Sequence, residues 1–175
     1  ADERPDLQLS SFSHGLTSNF GIDFKKSFKI NEDIFQKIFG PYRNSEVTAL
    51  LPTLIRPKSR GQIRLKNSRE VEIEPNHLSH PDDYRLLIEG LRYCYGLINT
   101  QAFQNAGLTP FKPESHLCDH TDPYTESYWT CLIQQFAFSA NFAVGSCKMG
   151  HDNDPMAVVD PELRVRGVQN LRVID

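Results

Sequence analysis

The sequence predicts an α+β fold in which helices cover a mostly antiparallel sheet, and three features carry that expectation. Asp6-Leu7-Gln8-Leu9-Ser10 alternates with the period of two that a half-buried strand requires, and residues 47–55 form a longer β-rich stretch. Residues 81–98 carry apolar side chains at helical spacing. Strands and helices alternate along the chain without internal repeats or low-complexity segments.

Each element has its own local reason. The 47–55 stretch is interrupted by Pro52, which removes a ladder donor, and together with 6–10 it suits a sheet with one covered face. Between them, Asn31 can cap a short helix whose Ile34, Phe35, Ile38 and Phe39 fall on one stripe before Gly40-Pro41 stops it. The 81–98 helix has Ser79 as its expected cap and Asp82 and Asp83 in the first turn, where the helix dipole favours anions. Its buried face is expected to be Leu87, Leu91, Cys94 and Ile98, a packing face rather than a site. A third helix is expected over 124–135, with Tyr128, Cys131, Leu132 and Gln135 at helical period after a cap at Asp122-Pro123. Short strands follow, turning at Arg166-Gly167, where glycine accepts a positive φ.

Composition excludes several function classes. A chain of 175 residues with 39% hydrophobic content can build a core, burying about 70% of its unfolded surface. The formal charge of −3, from 19 basic and 22 acidic residues, and the absence of any run of five like charges leave no basic field for a nucleic acid. No apolar run in the sequence approaches the roughly 18 residues that span a bilayer. Ala1-Asp2-Glu3-Arg4-Pro5 lacks the apolar core of a signal peptide, so a secretion signal in a parent protein is expected upstream.

Some side chains invite a chemical reading of their own. His116, Cys118 and His120, with Asp119 and Asp122, place several metal-ligand types within a short segment. Structural zinc sites usually offer two separated ligand pairs, and Pro113 and Pro123 flank this one, so a solvated loop is the expected reading. His77 and His80 precede the long helix, where capping or exposure is expected. Cys94 is expected to behave as a small buried hydrophobe.

The carboxy-terminal motifs are the most specific. Gly145-Ser146-Cys147-Lys148-Met149-Gly150, then Asp154-Pro155-Met156-Ala157-Val158-Val159-Asp160-Pro161, Leu163-Arg164-Val165-Arg166-Gly167-Val168 and Leu171-Arg172-Val173-Ile174-Asp175 together resemble the closing signature of the glucose-methanol-choline (GMC) oxidoreductases. Leu54-Ile55-Arg56-Pro57-Lys58-Ser59-Arg60-Gly61, Ile63-Arg64-Leu65, Glu74-Pro75-Asn76-His77-Leu78, Pro81-Asp82-Asp83 and Tyr128-Trp129-Thr130-Cys131 are similar to insect-type members of that family. The resemblance covers nearly the whole chain.

It implies an FAD-dependent enzyme oxidising the CH–OH group of a small alcohol or sugar, as a glucose dehydrogenase-like protein does. It implies the family's substrate-binding domain over 1–140, with 141–175 as a signature segment returning toward a flavin domain. No Gly-x-Gly-x-x-Gly follows a strand at the amino terminus, so the pyrophosphate-cradling loop of a Rossmann-type domain is absent and the chain reads as a fragment. The family's catalytic histidine stands three residues before the glycine of Gly-Ser/Thr-Cys-Lys-Met-Gly, and here that position is Phe142. A second active-site position would lie beyond Asp175. By the same resemblance Val144 and Asp175 would lie toward the cofactor, and secretion is expected. Cys118 and Cys131 match a pair that looks like a disulfide in insect relatives, with two free thiols as the alternative. Cys147 lies inside the signature but is not a family nucleophile, and His151 is a remote candidate for a substitute base. A non-catalytic binding protein derived from the family, or a truncated gene product, is the alternative to an enzyme.

Overall fold

A computed structural model describes residues 4–13, 16–42, 45–110, 118 and 120–175. The chain divides into two compact units, one of Ala1–Arg60 with Asn76–Phe138 and one of Gly61–Pro75 with Ser139–Asp175. The first contains strands β1 (Leu7–Phe12) and β2 (Ala49–Leu54) and helices α1 (Ile22–Phe28), α2 (Glu32–Phe39), α3 (Pro81–Ile98), α4 (Gln101–Asn105) and α5 (Glu126–Phe136). The second contains β3 (Gln62–Leu65) and β4 (Val71–Glu74). The mixed helix and antiparallel-strand class expected from the sequence is present as two separate two-stranded sheets.

In the first unit β1 and β2 pair antiparallel from Leu7 opposite Leu54 to Phe12 opposite Ala49, with Leu9 opposite Pro52. The Ile55 N–H donates to the Asp6 carbonyl at 2.9 Å and so sets the phase of the ladder. Gln8–Thr53, Ser10–Leu51 and Phe12–Ala49 are then the bonded pairs, and Leu9–Pro52 is not. The donor that Pro52 lacks is one β1 never calls on.

The helices follow their sequence signals with two shifts. Asn31 caps α2 as expected, its Oδ1 accepting from the Asp33 and Ile34 N–H groups at 2.8 and 3.3 Å. Phe35, Ile38 and Phe39 form a core with Leu16, Phe24, Ile30, Ile34 and Phe136. Gly21 sits at φ +69 beneath the Phe35 ring, and a Cβ there would fall 2.0 Å from Phe35 Cζ. The cap of α3 is His80 rather than Ser79: its Nδ1 accepts from the Asp82 N–H at 3.2 Å. Pro81 takes the first helical position, which makes the residue immediately before it the cap. Helix α5 starts at Glu126 rather than 124, capped by Thr125 Oγ1 instead of Asp122-Pro123. Tyr124 adopts φ +66, outside the helical region, so the helix begins only after it.

The buried band of α3 is wider than the stripe expected, because the helix serves two neighbours. Cys94 is buried as expected, whereas Leu87, Leu91 and Ile98 are half-buried and Asp83, Ile88 and Gly90 lie deepest. Gly90 faces the β1–β2 sheet so closely that a Cβ would lie 2.7 Å from Pro52 Cβ and 3.0 Å from Leu7 Cδ1. Ile88 packs with Trp129 and Ile133 of α5, flanked by Leu87, Leu91, Tyr95, Tyr128 and Leu132. Burial pushes the Cys94 thiol pKa up.

Asp83 is fully buried, yet it is charged. Its Oδ1 accepts from the Lys58 N–H at 2.8 Å, and its Oδ2 from the Ser59 N–H at 2.9 Å and the Ser59 hydroxyl at 2.5 Å. Burial opposes ionisation, but the Ser59 hydroxyl and the two backbone donors outweigh it and hold the carboxyl below the usual range. The Ser59 Oγ in turn accepts from the His80 N–H at 3.0 Å.

In the second unit, β3 and β4 form a hairpin with Ile63 opposite Ile73 and Leu65 opposite Val71 on one face. The other face pairs Gln62 with Glu74 and Arg64 with Glu72, and Arg64 also bonds Glu74 at 2.5 Å. A Cβ at Gly61 would lie 2.2 Å from the Glu74 carbonyl, so glycine is required there. The strand pair expected around Arg166-Gly167 is reduced to single bridges, Val159 with Val165 and Arg164 with Arg172, although Gly167 does take φ +77.

Replacing Asp83 by asparagine removes the charge and turns an acceptor into a donor facing donors. Urea unfolding is expected to show a loss of about 2–4 kcal/mol. Because the folded-state pKa of Asp83 is lowered, its contribution is present above the ordinary carboxylate pKa and lost as pH falls through the folded value. The stability difference between wild type and Asp83→Asn should therefore shrink on the acid side of about pH 4. A difference that stays constant from neutral to acid would contradict this.

Candidate functional site

The signature segment folds as a stepped ladder of single bonds within the second unit. The Val158 and Val159 N–H groups donate to the Lys148 carbonyl at 2.8 and 3.2 Å, and Gly150 N–H donates to Val159 C=O at 3.1 Å. Arg166 N–H reaches Val158 C=O at 3.0 Å, Val165 N–H reaches Leu171 C=O at 2.9 Å, and Val173 N–H reaches Leu163 C=O at 3.1 Å. Residues 148–173 thus form one bonded network around Val159, the buried residue of this unit among those described. Gly150 is needed at its tightest point, where a Cβ would lie 2.7 Å from Ala157 Cβ and 2.9 Å from Asp154 Oδ2.

Charges brace the ladder. The Lys148 ammonium bonds Asp154 and, with the Met156 N–H, holds that carboxyl below the usual range. At Asp160 burial opposes ionisation, but the N–H and guanidinium of Arg164 win and lower the pKa. The Arg166 guanidinium donates to the Gly150 carbonyl at 3.0 Å and pairs with Asp152 at 3.1 Å.

The residues singled out in the sequence sit at the margins of this frame. Phe142 is 85% exposed and Val144 94% exposed, on the irregular stretch that leads into Gly145 at φ +105. Asp175 is exposed. Cys147 is a free, half-buried thiol. His151 is exposed, and among the described residues its ring has no hydrogen-bond or ion-pair partner. Nothing in the described geometry aims it at Phe142.

Cys118 and Cys131 are joined by a disulfide, with α-carbons 6.0 Å apart and a sequence separation of 13. The bond occupies the Cys118 sulfur that a metal would need. His116 and Asp119 lie outside the described residues, and among those described no group of three or more His, Cys, Asp or Glu is placed to hold a metal. Tyr95, Tyr124, Tyr128 and Trp129 form an aromatic cluster of tilted and edge-on pairs at centroid distances between 4.5 and 6.2 Å.

A flavin dinucleotide needs a pyrophosphate cradle, and the longer helices offer none. The Asn31, His80 and Thr125 side chains already accept from Asp33 and Ile34, from Asp82 and from Tyr128 N–H at the starts of α2, α3 and α5. The described residues therefore do not fit the pyrophosphate half of the cofactor, and Phe142 and Val144 present exposed apolar side chains.

Peptide mapping under non-reducing conditions should recover Cys118 linked to Cys131, with Cys94 resistant to alkylation until the chain unfolds. Closing this loop is worth about 3 kcal/mol, so reduction should lower the unfolding midpoint measurably. Free alkylation of Cys118 and Cys131 without reductant would contradict the pairing.

The profile of the GMC oxidoreductase family matches residues 57–175. Glucose dehydrogenase [FAD, quinone] of Drosophila melanogaster is 36% identical over 176 aligned positions, covering 99% of this chain and 26% of that protein. Oxygen-dependent choline dehydrogenase of Brucella ovis is 37% identical over 129, covering 69% of this chain and 22% of its own length. Among solved structures, pyridoxine 4-oxidase from Mesorbium loti superposes with a TM-score of 0.58 at 25% identity, over 75% of this chain and 25% of that one. The chain thus spans about a quarter of the length of these relatives. On the matched signature and on this similarity, the chain belongs to the GMC oxidoreductase family.

Proposed function

We propose that this chain is the substrate-domain portion of an FAD-dependent oxidoreductase acting on the CH–OH group of a small alcohol or sugar, and that Phe142 stands where such an enzyme needs its proton acceptor. The observation that carries the reading is position and chemistry together. Phe142 lies three residues before Gly145 in Gly-Ser-Cys-Lys-Met-Gly, and its ring is exposed rather than committed to a core.

The bound flavin supplies a hydride acceptor at N5. The protein must supply orientation for the hydroxyl and a base for its proton, and a neutral imidazole near pH 7 meets both needs. A phenyl ring meets neither, because it has no lone pair to accept the proton or to bond the substrate oxygen. It can only shape the pocket and exclude water. Loss of a positioned base removes about 10²- to 10⁴-fold in rate, so weak turnover is expected rather than none. Val144 and Asp175 are the residues we place toward the cofactor. The disulfide between Cys118 and Cys131 supports a secretory route, since such bonds persist in oxidising compartments. The apolar group at Phe142 also favours a second reading, a binding protein that keeps this fold without the chemistry.

Two measurements test the proposal. The purified chain should carry no stoichiometric flavin, and flavin absorbance retained through gel filtration at about one equivalent would overturn that part. Grafting residues 1–175 in place of the matching segment of the Drosophila glucose dehydrogenase should give a flavin-loaded but slow enzyme. Phe142→His in the same graft should raise kcat by about 10²-fold or more at equal flavin content. If the unchanged graft is already as fast as its histidine variant, another group such as His151 is the base and the assignment fails. If neither turns over while both bind alcohol, the binding-protein reading stands.

A further inference from the structure

The aromatic cluster between α3 and the start of α5 contains one pair unlike the rest. Tyr95 and Tyr124 lie with ring centroids 4.5 Å apart and planes 30° from parallel, the closest and flattest of the contacts among Tyr95, Tyr124, Tyr128 and Trp129. Their hydroxyls are hydrogen-bonded to each other, and that bond, with burial, holds the Tyr124 phenol above its usual pKa. Overlapping rings and a shared hydroxyl bond bring the two phenol ends together. Tyr128 and Trp129 each meet Tyr124 at 5.9 Å and at the steeper angles of 61° and 51°.

The two rings are presented by different kinds of backbone. Tyr95 stands on α3, which is fixed by the packing of Ile88 on Trp129 and Ile133. Tyr124 lies on the turn before α5 at φ +66, outside the helix. The Cys118–Cys131 disulfide closes the loop that carries Tyr124, so a short closed turn delivers that ring to α3. The contact is internal to the first unit and owes nothing to which outer surfaces are free.

We propose that Tyr95 and Tyr124 form an oxidative cross-linking site, at which a one-electron oxidant joins the two rings as a dityrosine. The oxidant is hydrogen peroxide acting through a haem peroxidase. Each phenol gives up one electron and its hydroxyl proton, and the two radicals form one carbon–carbon bond between positions ortho to oxygen. The hydrogen on each of those carbons then moves to oxygen and restores the phenol. The protein loses two hydrogens in all, and one peroxide takes them up to leave two waters. Electron withdrawal needs no direct contact with the pair, because a hole formed first on Trp129 or Tyr128 lies within 6.2 Å of Tyr95 or Tyr124. The product ties α3 to the entrance of α5 and, like the neighbouring disulfide, restricts the unfolded chain.

The purified chain, kept dilute so that copies do not meet, is treated with hydrogen peroxide and a haem peroxidase, then reduced, digested and mapped. The expected product is a linked pair of peptides carrying Tyr95 and Tyr124, lighter than their sum by two hydrogens and showing dityrosine fluorescence. Tyr95→Phe and Tyr124→Phe each keep an aromatic ring in the cluster and should abolish the linked pair. Tyr93→Phe should leave it unchanged, because Tyr93 is 64% exposed yet has no ring contact among the described residues. In urea the linked pair should be lost, since the fold supplies the proximity. Photochemically generated sulfate radical, too small to be shut out of the cluster, should give the same product and so removes enzyme access as a reason for failure. Recovery of Tyr95 and Tyr124 unlinked under both oxidants overturns the proposal. So does a link that forms equally well in urea, or one that joins Tyr124 to Tyr128 instead.

Discussion

The buried carboxylate of Asp83 is the interaction on which the first unit depends. The chain leaves that unit after Arg60 and re-enters it at Asn76. On the outgoing side Lys58 and Ser59 donate their N–H groups to Asp83, and on the returning side Ser59 Oγ takes the His80 N–H. His80 is the cap of α3 and Asp83 lies in that helix's first turn, so one carboxylate ties the end of β2 to the start of α3. The Asn76 amide donates to the Arg60 carbonyl at 3.0 Å and closes the neck a second time. A charge taken out of water is tolerable only when its lone pairs are filled, and here three donors fill them. A side chain with fewer acceptors would leave backbone donors orphaned at the junction.

From that junction α3 is laid across the sheet at a fixed height. Gly90 lets the helix backbone approach Pro52 and Leu7, and the opposite flank of the same helix packs Ile88 on Trp129 and Ile133. The proline that interrupts β2 thus acts twice. It provides a flat contact for the glycine of α3, and it removes a donor where β2 would otherwise present one. On that outward side of β2, Leu50 and Leu54 keep their N–H groups and only the Pro52 position lacks one.

What could be read in the sequence follows from where the physics is local. Asn31 capping α2, the apolar stripe of α2 and the existence of α3 and β1 are decided within one or two turns of chain, and they stand where expected, whereas the deepest face of α3 is set by its two neighbours. Ser79 looked like the better cap by residue type, but Pro81 fixes the first helical position and hands the cap to His80. Tyr124 looked helical, but its positive φ sets the start of α5 two residues later. Asp83 reads from sequence as one of two anions favoured by a helix dipole. Its role as a buried clamp needs Lys58 and Ser59 to arrive from elsewhere in the chain, and no local pattern reports that. The β3–β4 hairpin has four-residue strands, too short for alternation to stand out. The signature segment lacks regular elements altogether, so its ladder of single bonds has no period to detect. Motif spacing singles out Phe142, and nothing in the described geometry around it reports a role.

The second unit explains why that position cannot be judged on its own. Residues 148–173 are bonded through their backbone and several charges are paired, yet Val144, Met156, Ile174, Ile63 and Leu65 all stand exposed, and Phe142 with them. The frame is held by carbonyl bridges and carboxylate pairs such as Lys148–Asp154 and Arg164–Asp160, not by a core. Residue 142 lies outside that frame, on the irregular stretch before Gly145, and its exposed side chain is not packed by it. Proton abstraction needs a base held within hydrogen-bond reach of one oxygen, and that demands packing around the side chain as well as the right residue type. An imidazole at this position would gain its pKa but not its aim from this chain. The aim has to come from whatever surface covers these apolar side chains, and the chemistry of residue 142 is therefore a property of the covered segment rather than of the segment alone.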